Sequence, residues 1–305
     1  FRITSDGLST FLNGWTKEGG LDLSRFAKGV TFTVNAEGSG PMNDMEIEAS
    51  VTSDSGDLDA DVRISDILKK DKPIGISGIV HTKDLDLGDI IGAEILGPAT
   101  LKTGLRAHIG SGDMPSDVRF DSLMVDRLNI KDYDYTNIAA VGDISSNSFD
   151  GRIICNDPNL NFMFQGIFAL SAKTQNARYK FFANVGHADL NAMNLDKRGI
   201  SRVDLRASAD FTKTGKGDLM GKIDIADLML ENNLGRHDIG DISLTSYSND
   251  NTFTVRLDSQ FANGKYTGSA PVTTFISDLQ NVTMKKELPS LFNDASYTWN
   301  GNSYN

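Results

Sequence analysis

Leu160-Asn161-Phe162-Met163-Phe164-Gln165-Gly166-Ile167-Phe168-Ala169-Leu170 is the stretch that decides the fold. Its even-numbered members are Leu160, Phe162, Phe164, Gly166, Phe168 and Leu170, all apolar or glycine. A strand sends successive side chains to opposite faces of a sheet, so this spacing puts five large apolar groups, three of them aromatic, and one glycine on one side. The same period of two recurs on both sides of it. In Val30 to Glu37 every even residue is apolar and every odd one polar. Met45, Ile47, Ala49 and Val51 alternate with Glu46, Glu48, Ser50 and Thr52, and Leu58, Ala60, Val62 and Ile64 alternate with Asp59, Asp61 and Arg63. Leu101 to Ile109, Val203 to Phe211 and Phe253 to Leu257 continue the pattern. Alternation of this kind describes sheets with one dry and one wet face, whereas parallel strands covered by helices read as continuous apolar runs.

Turn-forming clusters fall between the runs, among them Gly38-Ser39-Gly40-Pro41, Ser53-Asp54-Ser55-Gly56, Asn156-Asp157-Pro158-Asn159 and Ala262-Asn263-Gly264-Lys265. Strand, tight turn, strand is a meander, and the spacing predicts about fifteen strands. The expected architecture is all-β: an elongated, curved, mostly antiparallel sheet with a few short helices between strands. Leu21–Phe26, Leu87–Ile91, Leu190–Leu195 and Lys286–Phe292 are the expected helical pieces. Three of them share an apolar-Asp/Asn-apolar step, but their uneven spacing argues against a solenoid of fixed period. No shift in composition marks a boundary, so residues 1–305 read as one continuous repetitive β-structure. Ser296-Tyr297-Thr298-Trp299-Asn300 reads as a strand beginning. Residues 285–305 are accordingly expected to start a further module, with the chain an internal fragment of a longer protein whose membrane anchor lies outside it.

Composition narrows the function. The chain has 305 residues, 39% hydrophobic and 8% aromatic, with 29 glycines and 7 prolines, which suits a folded, turn-rich domain. Its formal net charge of −11 repels phosphate backbones and excludes nucleic acid as a natural partner. Cys155 is the single cysteine, so neither an intrachain disulfide nor a thiolate cluster can form. The four histidines, His81, His108, His187 and His237, stand at no metal-ligand spacing, and no nucleophile elbow, phosphate loop or dinucleotide fingerprint occurs. Asp84-Leu85-Asp86-Leu87-Gly88-Asp89 begins like a calcium loop. It then lacks the glycine at the sixth position and the glutamate at the twelfth, where Asp89 and Ile95 stand. The expectation is therefore a protein without cofactor, metal or enzymatic chemistry.

What remains is the apolar face. Phe162, Phe164, Phe168, Leu205, Ala207, Val255 and Leu257 are the residues expected to line it. A closed sandwich core is the competing explanation. It would make the chain a structural or adhesive envelope protein that binds glycan or protein.

Several stretches resemble the TamB/AsmA-like proteins of Gram-negative cell envelopes, in particular their Bacteroidetes branch. They are Gly78 to Gly88, in which a strand runs into an Asp-Leu step; Tyr133 to Ile138 with Phe149 to Ile153; Asp157-Pro158-Asn159 with the strand Phe162 to Phe168; and Ala183 to Asn191, with the next Asp-Leu step. Their order covers most of residues 70–230. The resemblance implies a U-shaped sheet, a β-taco, greasy inside and polar outside. It implies a periplasmic segment tethered to the inner membrane in the full-length protein. It also implies phospholipid acyl chains as cargo and an outer-membrane barrel or assembly protein as partner. No catalytic residues come with it. The dimensions suit that role: eight strand residues span about 27 Å, and fifteen strands at about 4.8 Å make a trough of roughly 70 Å.

Overall fold

A computed structural model describes residues 2–4, 31–69, 72–91, 95–110, 117–145, 148–169, 177–197, 199–213, 219–249, 252–269 and 274. The expected helices Leu21–Phe26 and Lys286–Phe292, the strand at Ser296–Asn300 and the module at 285–305 lie outside the described residues.

The described residues form sixteen strands in a single open, curved sheet whose spatial order is the order of the sequence. They are β1 (Arg2–Thr4), β2 (Thr31–Ser39), β3 (Asp44–Ser53), β4 (Gly56–Ser65), β5 (Ile74–Asp86), β6 (Leu96–Ile109), β7 (Asp117–Ile130) and β8 (Tyr133–Ser145). Then come β9 (Ser148–Asp157), β10 (Leu160–Ala169), β11 (Ala177–Asp189), β12 (Ser201–Lys213), β13 (Leu219–Asn232), β14 (Gly235–Asn249), β15 (Thr252–Ser259) and β16 (Asn263–Gly268). Every pairing is antiparallel, so the sheet is a pure meander, where a mostly antiparallel one was expected. The substantial contacts between elements all join consecutive strands, and no second layer covers the sheet among the described residues.

Among the described residues a short helix, α1 (Leu87–Ile91), lies between β5 and β6. The helix expected at Leu190–Leu195 is instead a run of turns. Its reason is local. Met193 N–H reaches Asp189 O at 3.1 Å as a first helical turn would, but Asn194 then enters the left-handed region at φ 59° and the chain leaves for β12.

The meander repeats with a period the sequence text conceals. Asp86 and Asp189 end the long strands β5 and β11, six strands and 103 residues apart. Each carboxylate accepts the N–H three residues on, Asp86 from Asp89 at 2.9 Å and Asp189 from Ala192 at 3.0 Å. Each backbone N–H is donated to the preceding hairpin turn, Asp86 to Ser55 O at 2.7 Å and Asp189 to Asn159 O at 2.9 Å. Both strands carry a bulge just before that aspartate, at Thr82–Leu85 and at Val185–Ala188. The hairpin turns correspond as well. Ser55 N–H donates to Ser53 Oγ and Asn159 N–H to Asp157 Oδ1, and Ser259 Oγ closes the β15–β16 turn by accepting from Ala262 N–H. Asn137 in β8 and Gly240 in β14, also 103 residues apart, both have positive φ, 53° and 72°. Six strands therefore form one structural unit. The first runs over β3–β8, the second over β9–β14, and β15–β16 begin a third. The uneven spacing of the Asp/Asn steps argues against a fixed period, yet the structure repeats, because the shared features are bonds and bulges, which different residues supply.

Removing the equivalent caps should have equivalent effects. Asp86→Ala and Asp189→Ala are each expected to cost about 1 kcal/mol, the usual loss of an N-terminal cap. Hydrogen exchange should quicken at Asp89 in the first variant and at Ala192 in the second.

Candidate functional site

The sheet brings the seven expected lining residues to a single face. Phe164 pairs with Ile153 on β9 and Ala183 on β11, and Ala183 pairs in turn with Ala207 on β12. Followed both ways, this register is an unbroken row across fourteen strands. It runs Ala36, Ala49, Ala60, Val80, Thr103, Leu123 and Ala140 towards β2's edge from Ile153. On the other side it runs from Ala207 through Ile225 and Ile242 to Ser259. Phe162 lies on the same face through Val185 and Leu205. Phe168 faces Phe149. Leu257 pairs with Leu244 and so back to Ile223, Ala209 and Phe181. Val255 reaches the face through Ser246, Gly221 and Phe211. Thr103 is the one hydroxyl in the middle of the long row, and it points back to Gly104 O at 3.4 Å.

The residues differ in how covered they are. Phe164 and Val255 are each 6% exposed, while Phe162, Phe168, Leu205, Ala207 and Leu257 are half-buried. The covering comes from a cluster of rings. Phe149 and Phe168 stand 5.4 Å apart, Phe164 and Phe168 5.1 Å edge to face, and Phe164 and Phe181 5.3 Å, spacings typical of favourable aromatic pairs. Under them lies a floor without side chains, Gly142, Gly151 and Gly166, mutual partners on β8, β9 and β10. A Cβ on Gly151 would sit 2.7 Å from the Phe149 ring, so the glycines let the rings settle onto the backbone.

At one end of the strands the face is closed by the chain itself. Met193, in the turns after β11, is 1% exposed and packs with Tyr135 and Ala188, flanked by Tyr133, Leu160 and Val203. Beside it lies a dense polar network. Asp157, 7% exposed, accepts from the Tyr133 hydroxyl, from Thr136 N–H at 3.0 Å and hydroxyl at 2.9 Å, and from Asn159 N–H at 2.9 Å. Burial, followed by the nearby Asp157 carboxylate, pushes the Tyr133 phenol up to about 12. Cys155 is buried on the same face with Sγ 3.7 Å from Thr136 O, and burial raises its pKa, which is the setting of an inert thiol.

The opposite face is charged but less uniformly polar than expected. Cross-strand pairs such as Arg106–Asp121 at 2.6 Å and Arg178–Asp210 at 2.7 Å lie exposed on it, where such pairs contribute little to stability. Met124, Val141 and Phe182 are also exposed there, and Met124, Ala139, Ile154 and Met163 are partners across β7–β10. Alternation in those strands is weak on the outer side, so the signal was present in Met163 and Ile167 of the deciding stretch. The acidic run at Asp84–Asp89 is engaged residue by residue. Asp84 accepts from Arg127 at 2.6 Å and from Thr100 Oγ1 at 3.0 Å, Asp86 caps α1, and Asp89 accepts from Ser55 Oγ at 2.9 Å. The Arg127 hydrogen bond, then that of Thr100, holds Asp84 below the usual carboxylate range. No group of ligating side chains among the described residues is arranged to hold a metal ion.

Comparison with protein-family models, with curated proteins and with solved structures finds no match.

Proposed function

We propose that this chain is a non-enzymatic carrier segment whose apolar face shelters the hydrocarbon chains of lipids. The observation that carries the proposal is a row across fourteen strands, apolar but for Thr103 and the terminal Ser259, on a sheet with no second layer over it among the described residues. A face of that kind is costly to leave in water, and each CH₂ of a lipid tail laid on it gains about 0.8 kcal/mol. Many equivalent shallow positions favour sliding over trapping. The stretches that resemble TamB/AsmA-like proteins support the setting. The segment then belongs to the periplasm of a longer protein tethered at the inner membrane. It passes phospholipid towards the outer membrane, where a barrel or assembly protein is its partner.

The test is direct. The full chain, purified without detergent, is expected to retain phospholipid detectable by mass spectrometry of its organic extract. It is also expected to speed transfer of a fluorescent phospholipid between vesicles. A lipid-free preparation that leaves transfer at the spontaneous rate rules the carrier out. A second reading, an adhesive protein that binds other proteins, draws on Met124, Val141 and Phe182 on the outer face. It expects Met124→Glu to abolish protein capture while lipid content is unchanged.

A further inference from the structure

The internal repeat allows one unit to be compared with the other position by position. In the second unit Phe149 pairs with Phe168, and in the first Met45 pairs with Ile64, each 104 residues earlier. Phe164 sits between Ile153 and Ala183, and Ala60 sits in the same way between Ala49 and Val80. Phe181 faces Gly166, and Gly78 faces Val62. Four phenyl rings in the second unit thus correspond to a methionine, an alanine, an isoleucine and a glycine in the first. The coverage follows. All three clusters of buried apolar side chains among the described residues lie beyond residue 129; in β3–β6 Leu85, Ala99 and Ala107 are buried but join no such cluster. Met45, Ile47, Val62, Ile64 and Leu105 stay half-exposed.

We infer that the hydrocarbon seat is the inner face of the first unit, over β3–β6, where Met45, Ala60, Ile64 and Gly78 leave open the space that four phenyl rings fill in the second unit. The occupant is a lipid acyl chain. What fills the equivalent space is pure hydrocarbon, and the seat offers no polar group inward. The buried Thr82 hydroxyl donates to Ala99 O at 3.0 Å and the Thr103 hydroxyl turns to Gly104 O. A peptide or a glycan laid there would bring donors and acceptors that find no partner, a penalty a hydrocarbon chain does not carry. The second unit, already filled by its own rings, is a closed stretch of the same trough. The assignment rests on the carrier reading and moves its site away from Phe162, Phe164 and Phe168.

The full chain is mixed with phosphatidylcholine vesicles in which one acyl chain carries a diazirine, irradiated, digested and mapped by mass spectrometry. Adducts are expected on peptides from β3–β6. Ala60→Phe supplies the ring that Phe164 supplies in the second unit and is expected to lower their yield at least fivefold. Phe164→Ala opens the second unit and is expected to add adducts on β9–β11. Adducts confined to β9–β12 in the unaltered chain, or an undiminished yield in a folded Ala60→Phe variant, overturn the seat and leave the carrier reading standing. Absence of adducts everywhere, together with a lipid-free extract, overturns both.

Discussion

Gly166→Val is expected to tear the sheet between β10 and β11. Gly166 has φ 138°, a backbone conformation L side chains rarely adopt, and a Cβ there would lie 2.2 Å from Lys180 O and 2.6 Å from Phe181 Cα. Those are backbone atoms of the neighbouring strand, so no rotamer change relieves the clash. Strain and overpacking together are expected to cost about 3–5 kcal/mol. Hydrogen exchange should show lost protection at the β10–β11 pairing while β3–β5 keep theirs. Gly264 is the matched control. It lies on the same cross-strand row through Leu257 and Leu244, yet nothing stands within 4 Å of the Cβ it would gain. Gly264→Val should change stability by less than about 0.5 kcal/mol, as surface substitutions usually do. Equal losses at the two sites would mean that the close approach at Gly166 does not constrain the sheet.

Asp157→Ala carries the second large effect. It strands the Tyr133 hydroxyl, the Thr136 N–H and hydroxyl and the Asn159 N–H in a buried site, and breaking a buried hydrogen-bonded charge network costs about 3–5 kcal/mol. Acid acts on the same group. Burial is the largest single influence on its pKa and raises it. The hydrogen bonds from Tyr133, Asn159 and Thr136 together lower it by more, and the net position is below the ordinary carboxylate value. A carboxyl whose folded-state pKa is depressed stabilises the fold fully above its unfolded pKa of about 3.9. That contribution is lost as pH falls through the lower folded value. The β8–β10 region should therefore loosen below about pH 4 in the native chain, and in Asp157→Asn that pH dependence should vanish while a constant deficit remains. Near-ultraviolet circular dichroism, which senses the Tyr133–Tyr135 edge-to-face pair at 4.7 Å, reports it.

How much was legible beforehand divides along physical lines. Which face each strand presents depends only on side-chain parity, and parity is written in the text: alternation puts Phe162, Leu205 and Leu257 on the apolar side of their strands, and the register puts them on one face. Strand order was legible because tight turns leave a meander little choice. The repeat was not. Asp86-Leu87 and Asp189-Leu190 are its plainest shared letters, while the turn closers Ser53 and Asp157 do the same job with different chemistry. The bulges were hidden for a similar reason. Asp84, Asn137 and Asp227 occupy left-handed conformations inside strands, with φ of 50°, 53° and 52°, and aspartate or asparagine there reads like any polar residue of an alternating run. The self-filling of the second unit was also out of reach. That Phe164 is covered by Phe149, Phe168 and Phe181 depends on a three-strand register and on glycines that let the rings settle. Alternation alone treats Phe164 and Ala60 as the same kind of residue.

Because the six-strand unit touches only its neighbours along the chain, it behaves as a graduated rule. Each further copy of about one hundred residues extends the sheet by roughly 29 Å, six strand spacings, without altering any existing contact. The length of the sheet is then set by counting copies, and duplicating or deleting one of them changes it by a fixed step.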